Sequence, residues 1–304
     1  MEQNTSQTAS NTKLVFLSRL GSSLALWSIA LYIIFSGYEI GFFLLISSIS
    51  MVALWEFYTI LDNKKLPNFK IIGMICGGIF ISGSFVYFSR ASGDAGRVDS
   101  YEFEDAVLLF FMLVVFARQM FQRTRDISPI ETMAYTLFGL LYVPWLFNFM
   151  TKIVYVTPHA HGMVTGHFYV LYLVVVTKFS DMGAYLTGSV IGKHPLIPHI
   201  SPKKTWEGFY GALGFSLLGS YAMLALMPHT LHLINYWHGT VLGLLLGFAA
   251  IVGDLAESII KRSCDVKDSG KLLPGIGGSL DLIDSLLFTA PLLFFYMRLV
   301  IRVP

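Results

Sequence analysis

Nine stretches of this chain run for most of the ~20 residues that an α-helix needs to cross a hydrocarbon core, at 20–37, 40–61, 71–89, 105–118, 132–150, 167–187, 209–227, 239–260 and 285–302. They are continuously apolar rather than alternating, which favours helices over barrel strands. Only 13% of the 304 residues are charged, against about 25% in an ordinary soluble domain. The expected fold class is therefore all-α, a polytopic integral membrane protein of about nine transmembrane helices.

The distribution of positive charge orients it. Of 21 Lys and Arg residues, 15 lie in the connections after even-numbered spans and in or near the C-terminal tail, whereas the segment from Asp94 to Asp105 is acidic. Basic connections stay on the cytoplasmic side, which predicts an N-terminus outside and a C-terminus in the cytoplasm. Residues 1–13 are polar and lack the pattern of a cleaved signal. They read as a disordered lead to one membrane-embedded domain over 14–304, with its chemistry concentrated in 178–291. No basic tract suggests nucleic acid as a partner. Cys76 in a span and Cys264 in a loop lie too far apart in depth for a disulfide and are too few for a thiolate metal site.

Up to residue 177 the polar groups have plain structural readings. Glu56 and Lys152 near span ends are expected to reach water by snorkelling, Pro144 to kink the fifth span, and His159, His161 and His167 to be solvated. From 178 onward the pattern changes. Lys178 and Asp181, Asp254 and Glu257, and Asp281 and Asp284 are each spaced i, i+3, so each pair shares a helix face. An acid within a bilayer costs about 2.5–3.5 kcal/mol on insertion scales, so several together imply a wet, protein-lined cavity. Lys178 and Asp181 can form a buried ion pair. The six acids Asp254, Glu257, Asp265, Asp268, Asp281 and Asp284 outnumber the four nearby basic residues. That surplus calls for a cation.

Magnesium suits the surplus. It takes oxygen ligands and is held by one or two carboxylates with substrate phosphates, and Gly275, Gly277 and Gly278 before Asp281 let a backbone approach a ligand closely. A lysine-rich stretch, GKHPLIPHISPKKTWEG, offers Ser201, Lys203, Lys204 and Thr205 as hydroxyl and ammonium donors for phosphate. The local chemistry is thus metal and polyphosphate binding at a cytoplasmic membrane face. Gly239, Gly243 and Gly247 form a small-residue stripe suited to close packing against the sixth or ninth span, or against a second copy.

Three stretches carry a resemblance. Ser258-Ile-Ile-Lys-Arg262, Lys267-Asp268, Leu273-Pro274, Gly277-Gly278 and Asp281-Leu-Ile-Asp284 resemble the signature of phosphatidate cytidylyltransferases, the CDP-diacylglycerol synthases. Asp181-Met-Gly-Ala-Tyr185 with Gly188, and Ile200 to Gly208, look like the same family. The departures are Ile276 where the family has His, Leu282 where it has Arg, and Ser279 at a usually apolar position; Lys271 is one candidate to supply a missing charge. The resemblance implies CMP transfer from CTP to phosphatidate with release of pyrophosphate, Mg²⁺ with a second cation such as K⁺, and a homodimer; the compact chain without a long leader points to a bacterial cytoplasmic membrane as host, with the endoplasmic reticulum as the alternative. The same resemblance implies Asp254, Asp281 and Asp284 as metal ligands, and Asp268 and Asp181 as further ligands or their partners. Ser201, Lys203, Lys204, Thr205, Lys261, Arg262 and Lys267 would contact phosphate, with Gly277 and Gly278 lining the substrate. Rival readings are another CTP-dependent lipid enzyme (an isoprenoid-lipid kinase or an archaeal-type CDP-lipid synthase) and a cation-coupled transporter, which would place its acids near the midplane.

Overall fold

A computed structural model describes residues 21, 24–91, 101–122, 128–157, 166–270 and 277–303; the N-terminal lead, His159, His161 and Lys271 lie outside them. Helices α1 (Leu24–Ser36), α2 (Glu39–Asn63), α3 (Lys70–Ala91), α4 (Tyr101–Met120), α5 (Pro129–Leu140), α6 (Phe149–Val156), α7 (Gly166–Ile191), α8 (Trp206–Leu226), α9 (Tyr236–Ser263) and α10 (Ser279–Tyr296) follow in order. Among the described residues, seven helical rods are long and apolar enough to cross a membrane, with α5 and α6 counted as one rod of 28 residues. The other two expected spans are helices too. α1 is shorter, and α4 carries Glu102, Glu104, Asp105 and Arg118. Large apolar side chains such as Tyr32, Ile71, Val190 and Leu226 stand exposed around the bundle, where a soluble monomer would show few contiguous apolar patches. The chain is a multi-pass membrane protein.

The core lies where α2, the α5–α6 rod, α7 and α10 meet, around Phe57, Tyr142, Phe147, Tyr172 and Leu287. Pro144 sits in a π turn over Leu141–Trp145, the distortion expected where a proline removes a ladder hydrogen bond. Three polar residues depart from the sequence reading. Lys152 does not reach water; its Nζ lies 2.5 Å from Glu104 Oε2, with both groups buried, and Asn148 also donates to Glu104. Glu56 is buried as well. His167 likewise is buried rather than solvated, its ring edge-on to Phe42.

The second half forms a tighter unit of α7, α8, α9 and α10. The glycine stripe of α9 packs mainly on α8, while the Gly247 carbonyl also accepts from Ser180 of α7, the helix of the sixth span. A Cβ on Gly239 would meet Leu224 at 2.5 Å and one on Gly243 would meet Leu217 at 2.9 Å. Ser220 and Ser216 of α8 donate to the carbonyls of Gly239 and Gly243, each at 2.8 Å. On its other side α9 meets α10 at Gly253, where a Cβ would lie 2.6 Å from the Asp284 carbonyl and 2.9 Å from Ser285 Cα. Both are backbone atoms and cannot swing aside.

The lysine-rich stretch is not a plain loop. β1 (Pro195–Ile197) pairs antiparallel with β2 (Ser201–Thr205), a short hairpin that the apolar-run argument did not anticipate. Glu207 fastens its base by accepting from the backbone N–H of Lys193 and His194 and from the His194 ring. Thr205 caps α8, accepting from the Gly208 N–H at 3.1 Å.

The start of α10 is held from outside. Its first N–H groups have no helical partner. Asp281 accepts from Gly278, Glu56 of α2 accepts from Leu280 at 2.9 Å, and Ser269 Oγ accepts from Asp281 N–H. Ser279 donates to the Ile49 carbonyl of α2.

Two outcomes test this frame. Gly253→Val is expected to push α9 off α10 and lower the thermal midpoint in detergent, an overpacking cost of about 1–3 kcal/mol; an unchanged midpoint would refute the close approach. Glu56→Ala strands a buried N–H at a cost of about 1–3 kcal/mol. Amide exchange over 279–284 is therefore expected to quicken about tenfold or more, while exchange over α8 stays as in the parent.

Candidate active site

Three helices and the hairpin deliver five carboxylates and three lysines to one region of the bundle. Asp181 and Lys178 come from α7, Asp254, Glu257 and Lys261 from α9, Asp281 and Asp284 from α10, and Lys204 from β2. The i, i+3 spacing of each acidic pair sets both members on the face turned towards the neighbouring helices. The lysines thread between them. Lys261 Nζ lies 2.6 Å from Glu257 Oε2 and 2.8 Å from Asp281 Oδ1, so it bridges α9 and α10. Lys204 Nζ is 2.7 Å from Asp254 Oδ2 and ties the hairpin to α9. Lys178 Nζ is 3.2 Å from Asp181 Oδ2 and donates to the Leu282 carbonyl at 3.1 Å.

Asp281 is the most fully engaged of the acids, accepting from Lys261, from the Gly278 N–H at 2.8 Å and from the Ser269 N–H. Gly277 precedes this turn at a φ of +115°, a backbone that favours glycine. Asp284 is buried and accepts only a short-range bond, from the Ser285 N–H. It lies within electrostatic reach of Asp254 and Asp181, with Lys178 among them. Ser285 Oγ links across to Asp181 at 3.3 Å.

Five carboxylates against three ammonium groups leave a formal surplus of two negative charges. All the acidic donors are hard oxygens, the chemistry that Mg²⁺ prefers. The donor set therefore fits a divalent ion in charge and kind. It is not a preformed cage, because among the described residues no group of three or more His, Cys, Asp or Glu side chains is gathered so as to hold a metal. Asp254 and Asp284 lie within electrostatic reach of one another, whereas Asp281 sits in its own ring of hydrogen bonds.

Beside this network lies a cavity of about 220 Å³, reached by Asp181, Lys203, Lys204, Thr205 and Asp254 and floored by Gly188 and Gly208. Ser201, at the start of β2, is half-buried, and Lys203 is exposed. Arg262, Lys267 and Asp268 stand exposed at and after the end of α9, outside the carboxylate network. The turn there is set by Asp265, left-handed at φ 54°, with the Val266 N–H returning to the Lys261 carbonyl and an ion pair to Lys64. Cys76 and Cys264 are buried and free. The sequence reading missed Glu56, Ser269 and Ser285 as members of the shell around the acids. It treated Lys178 as a local ion pair, whereas this lysine also reaches the backbone of Leu282.

A sequence model described as the cytidylyltransferase family matches residues 17–300. A phosphatidate cytidylyltransferase of Bacillus subtilis (strain 168) is 32% identical over 263 residues, 86% of this chain and 90% of the relative. A protein of the same name from Staphylococcus haemolyticus (strain JCSC1435) is 33% identical over 76% of this chain and 83% of its own length. The uncharacterized protein YnbB of Escherichia coli (strain K12) is 38% identical over 54% of this chain and 50% of its own. With the match running from before the first helix to the end of the last, this chain belongs to the cytidylyltransferase family.

Proposed function

We propose that this chain transfers CMP from CTP to phosphatidate, giving CDP-diacylglycerol and pyrophosphate. What carries the reading is the convergence of Asp181, Asp254, Asp281 and Asp284 with Lys178, Lys204 and Lys261 inside a membrane bundle. Its support is the family membership and the named activity of the relatives. The face that holds the hairpin is assigned to the cytoplasm, where CTP is available, and the host is assigned as a bacterial cytoplasmic membrane.

In the reaction a lipid phosphate oxygen bonds to the α-phosphorus of CTP. The bond from that phosphorus to the α–β bridging oxygen breaks, and pyrophosphate departs with the electron pair. The attacking phosphate is already ionised near neutral pH, so no general base is needed. Positioning and charge stabilisation carry most of the catalysis. Lys203 and Lys204 on the hairpin take the nucleotide phosphates, aided by Ser201, while Arg262 and Lys267 draw the polyanion in from the surface. Lys261 fixes Asp281, and the apolar walls exclude water that would otherwise hydrolyse CTP. Asp254, Asp281 and Asp284 would hold Mg²⁺, which when bound offsets the repulsion between the two phosphate groups.

Purified protein with labelled CTP, phosphatidate and Mg²⁺ is expected to yield labelled lipid and one pyrophosphate per lipid formed. Release of CDP instead would mark a kinase and overturn the reading. Asp281→Asn is expected to lower turnover about 100-fold or more, ~2.7 kcal/mol of barrier, with the protein still folded. Substantial label in lipid from that variant would remove Asp281 from the site.

A further inference from the structure

A second cavity, about 320 Å³, meets the charged network at Lys178 and Asp281. Its walls come from α1, α2, α6, α7 and α10 and are almost wholly apolar, including Trp27, Ile34, Phe42, Val174 and Leu286. Among the described residues, Lys178 and Asp281 are its only charged lining groups. Lys261 and two backbone N–H groups already engage Asp281. Lys178 is therefore the charge this cavity presents to an incoming ligand.

The helix that carries Lys178 divides the two cavities. One turn further along the same face, Asp181 lines the hairpin cavity with Lys203, Lys204 and Asp254, whereas Lys178 lines the apolar one. Their ion pair is thus the boundary between a polyphosphate-type pocket and a greasy one. An ammonium has three donors, of which Asp181 and the Leu282 carbonyl take two. A lysine kept merely to neutralise Asp181 needs no apolar chamber at its back, and an ionisable group at this depth in a span is a functional candidate by default.

We propose that Lys178 binds the phosphate of the lipid substrate and that the apolar cavity behind it receives an acyl chain. The ligand such a shape selects is an amphiphile with an anionic phosphate head. This assignment rests on the reaction proposed above and adds to it the place of the lipid. The phosphate at Lys178 then faces Asp181 and the hairpin cavity across a single helical turn, which is where an α-phosphorus has to lie for the two substrates to meet.

The test uses full-length protein in mixed micelles, with phosphatidate mole fraction and CTP varied independently. Lys178→Met is expected to raise the KM for phosphatidate about tenfold to hundredfold, the scale of a lost charge-assisted hydrogen bond, with the KM for CTP within about twofold. Lys178→Arg is expected to recover most of it. A readout without turnover comes from Trp27: phosphatidate brominated on its acyl chain is expected to quench its fluorescence, judged against Trp27→Phe, where equally brominated phosphatidylcholine does not. Lys178→Met is expected to abolish that difference. Should Lys178→Met not fold, Ala30→Phe decides on a folded protein, since filling the chamber is expected to shift preference about tenfold towards dioctanoyl over dioleoyl phosphatidate. A Lys178→Met enzyme with lowered kcat but parental phosphatidate KM and quenching overturns the proposal and leaves the reaction standing. So does an Ala30→Phe enzyme with unchanged chain preference. Lys178-dependent quenching in a parent protein that forms no CDP-lipid would instead keep the lipid site and overturn the reaction.

Discussion

Lys261 holds Glu257 and Asp281 within 2.8 Å, and the approach of α9 to α10 depends on it. Two carboxylates on facing helices repel one another steeply where water is scarce. With the Lys261 ammonium between them, α9 and α10 close at Gly253 with that repulsion offset. Removing the lysine would leave uncompensated buried charge, which is far costlier than losing a surface pair. The same device recurs at each junction around the site. Lys204 joins the hairpin to Asp254, and Lys178 joins α7 to the backbone of α10. The charges that define the candidate chemistry are therefore also what assembles the second half of the fold.

That arrangement suits a reaction between two polyanions. Lysine is a compact, hydrated point charge on a flexible stem, with donors that can be redistributed among acceptors. In the free protein the ammonium groups rest on carboxylates. Phosphate oxygens are acceptors of the same kind and can share those donors. The carboxylates they then release are the hard oxygens a divalent ion takes. In the proposed reaction the surplus of negative charge would serve as a store of cation ligands, held by lysines until substrate competes for them.

Much of this was legible in the chain itself. The apolar runs gave the helices, and the i, i+3 spacing set each charged pair on one helix face; that Asp181, Asp254 and Asp284 share one region comes from the packing of three helices. What escaped depended on partners distant in sequence. Lys152 and Glu56 read as snorkelling residues because hydropathy reports depth along a helix and says nothing of what covers its side. Their partners, Glu104 and the Leu280 N–H, lie 48 and 224 residues away. The hairpin was hidden because Ser-Pro-Lys-Lys-Thr has neither alternation nor a marked turn pair; its base is secured by Glu207 rather than by strand propensity. The glycine stripe was recognised as a packing surface, but only the serines of α8, spaced to meet its carbonyls, decide which helix it meets.

Leu282 and Lys178 show how a departure from a family pattern can be read physically. At the position where the sequence reading expects an arginine, this chain has Leu282, whose side chain lines the apolar cavity. A positive charge is nevertheless delivered to the same backbone position, since Lys178 reaches the Leu282 carbonyl from α7. With the charge on α7, the α10 position lines the apolar wall and the cation sits at the cavity's polar end. An arginine at 282 would have to bend a planar, five-donor head away from the apolar wall. A lysine rising from the opposite helix has only to extend. The leucine thus supplies apolar wall and the lysine positive charge at the same end of the cavity.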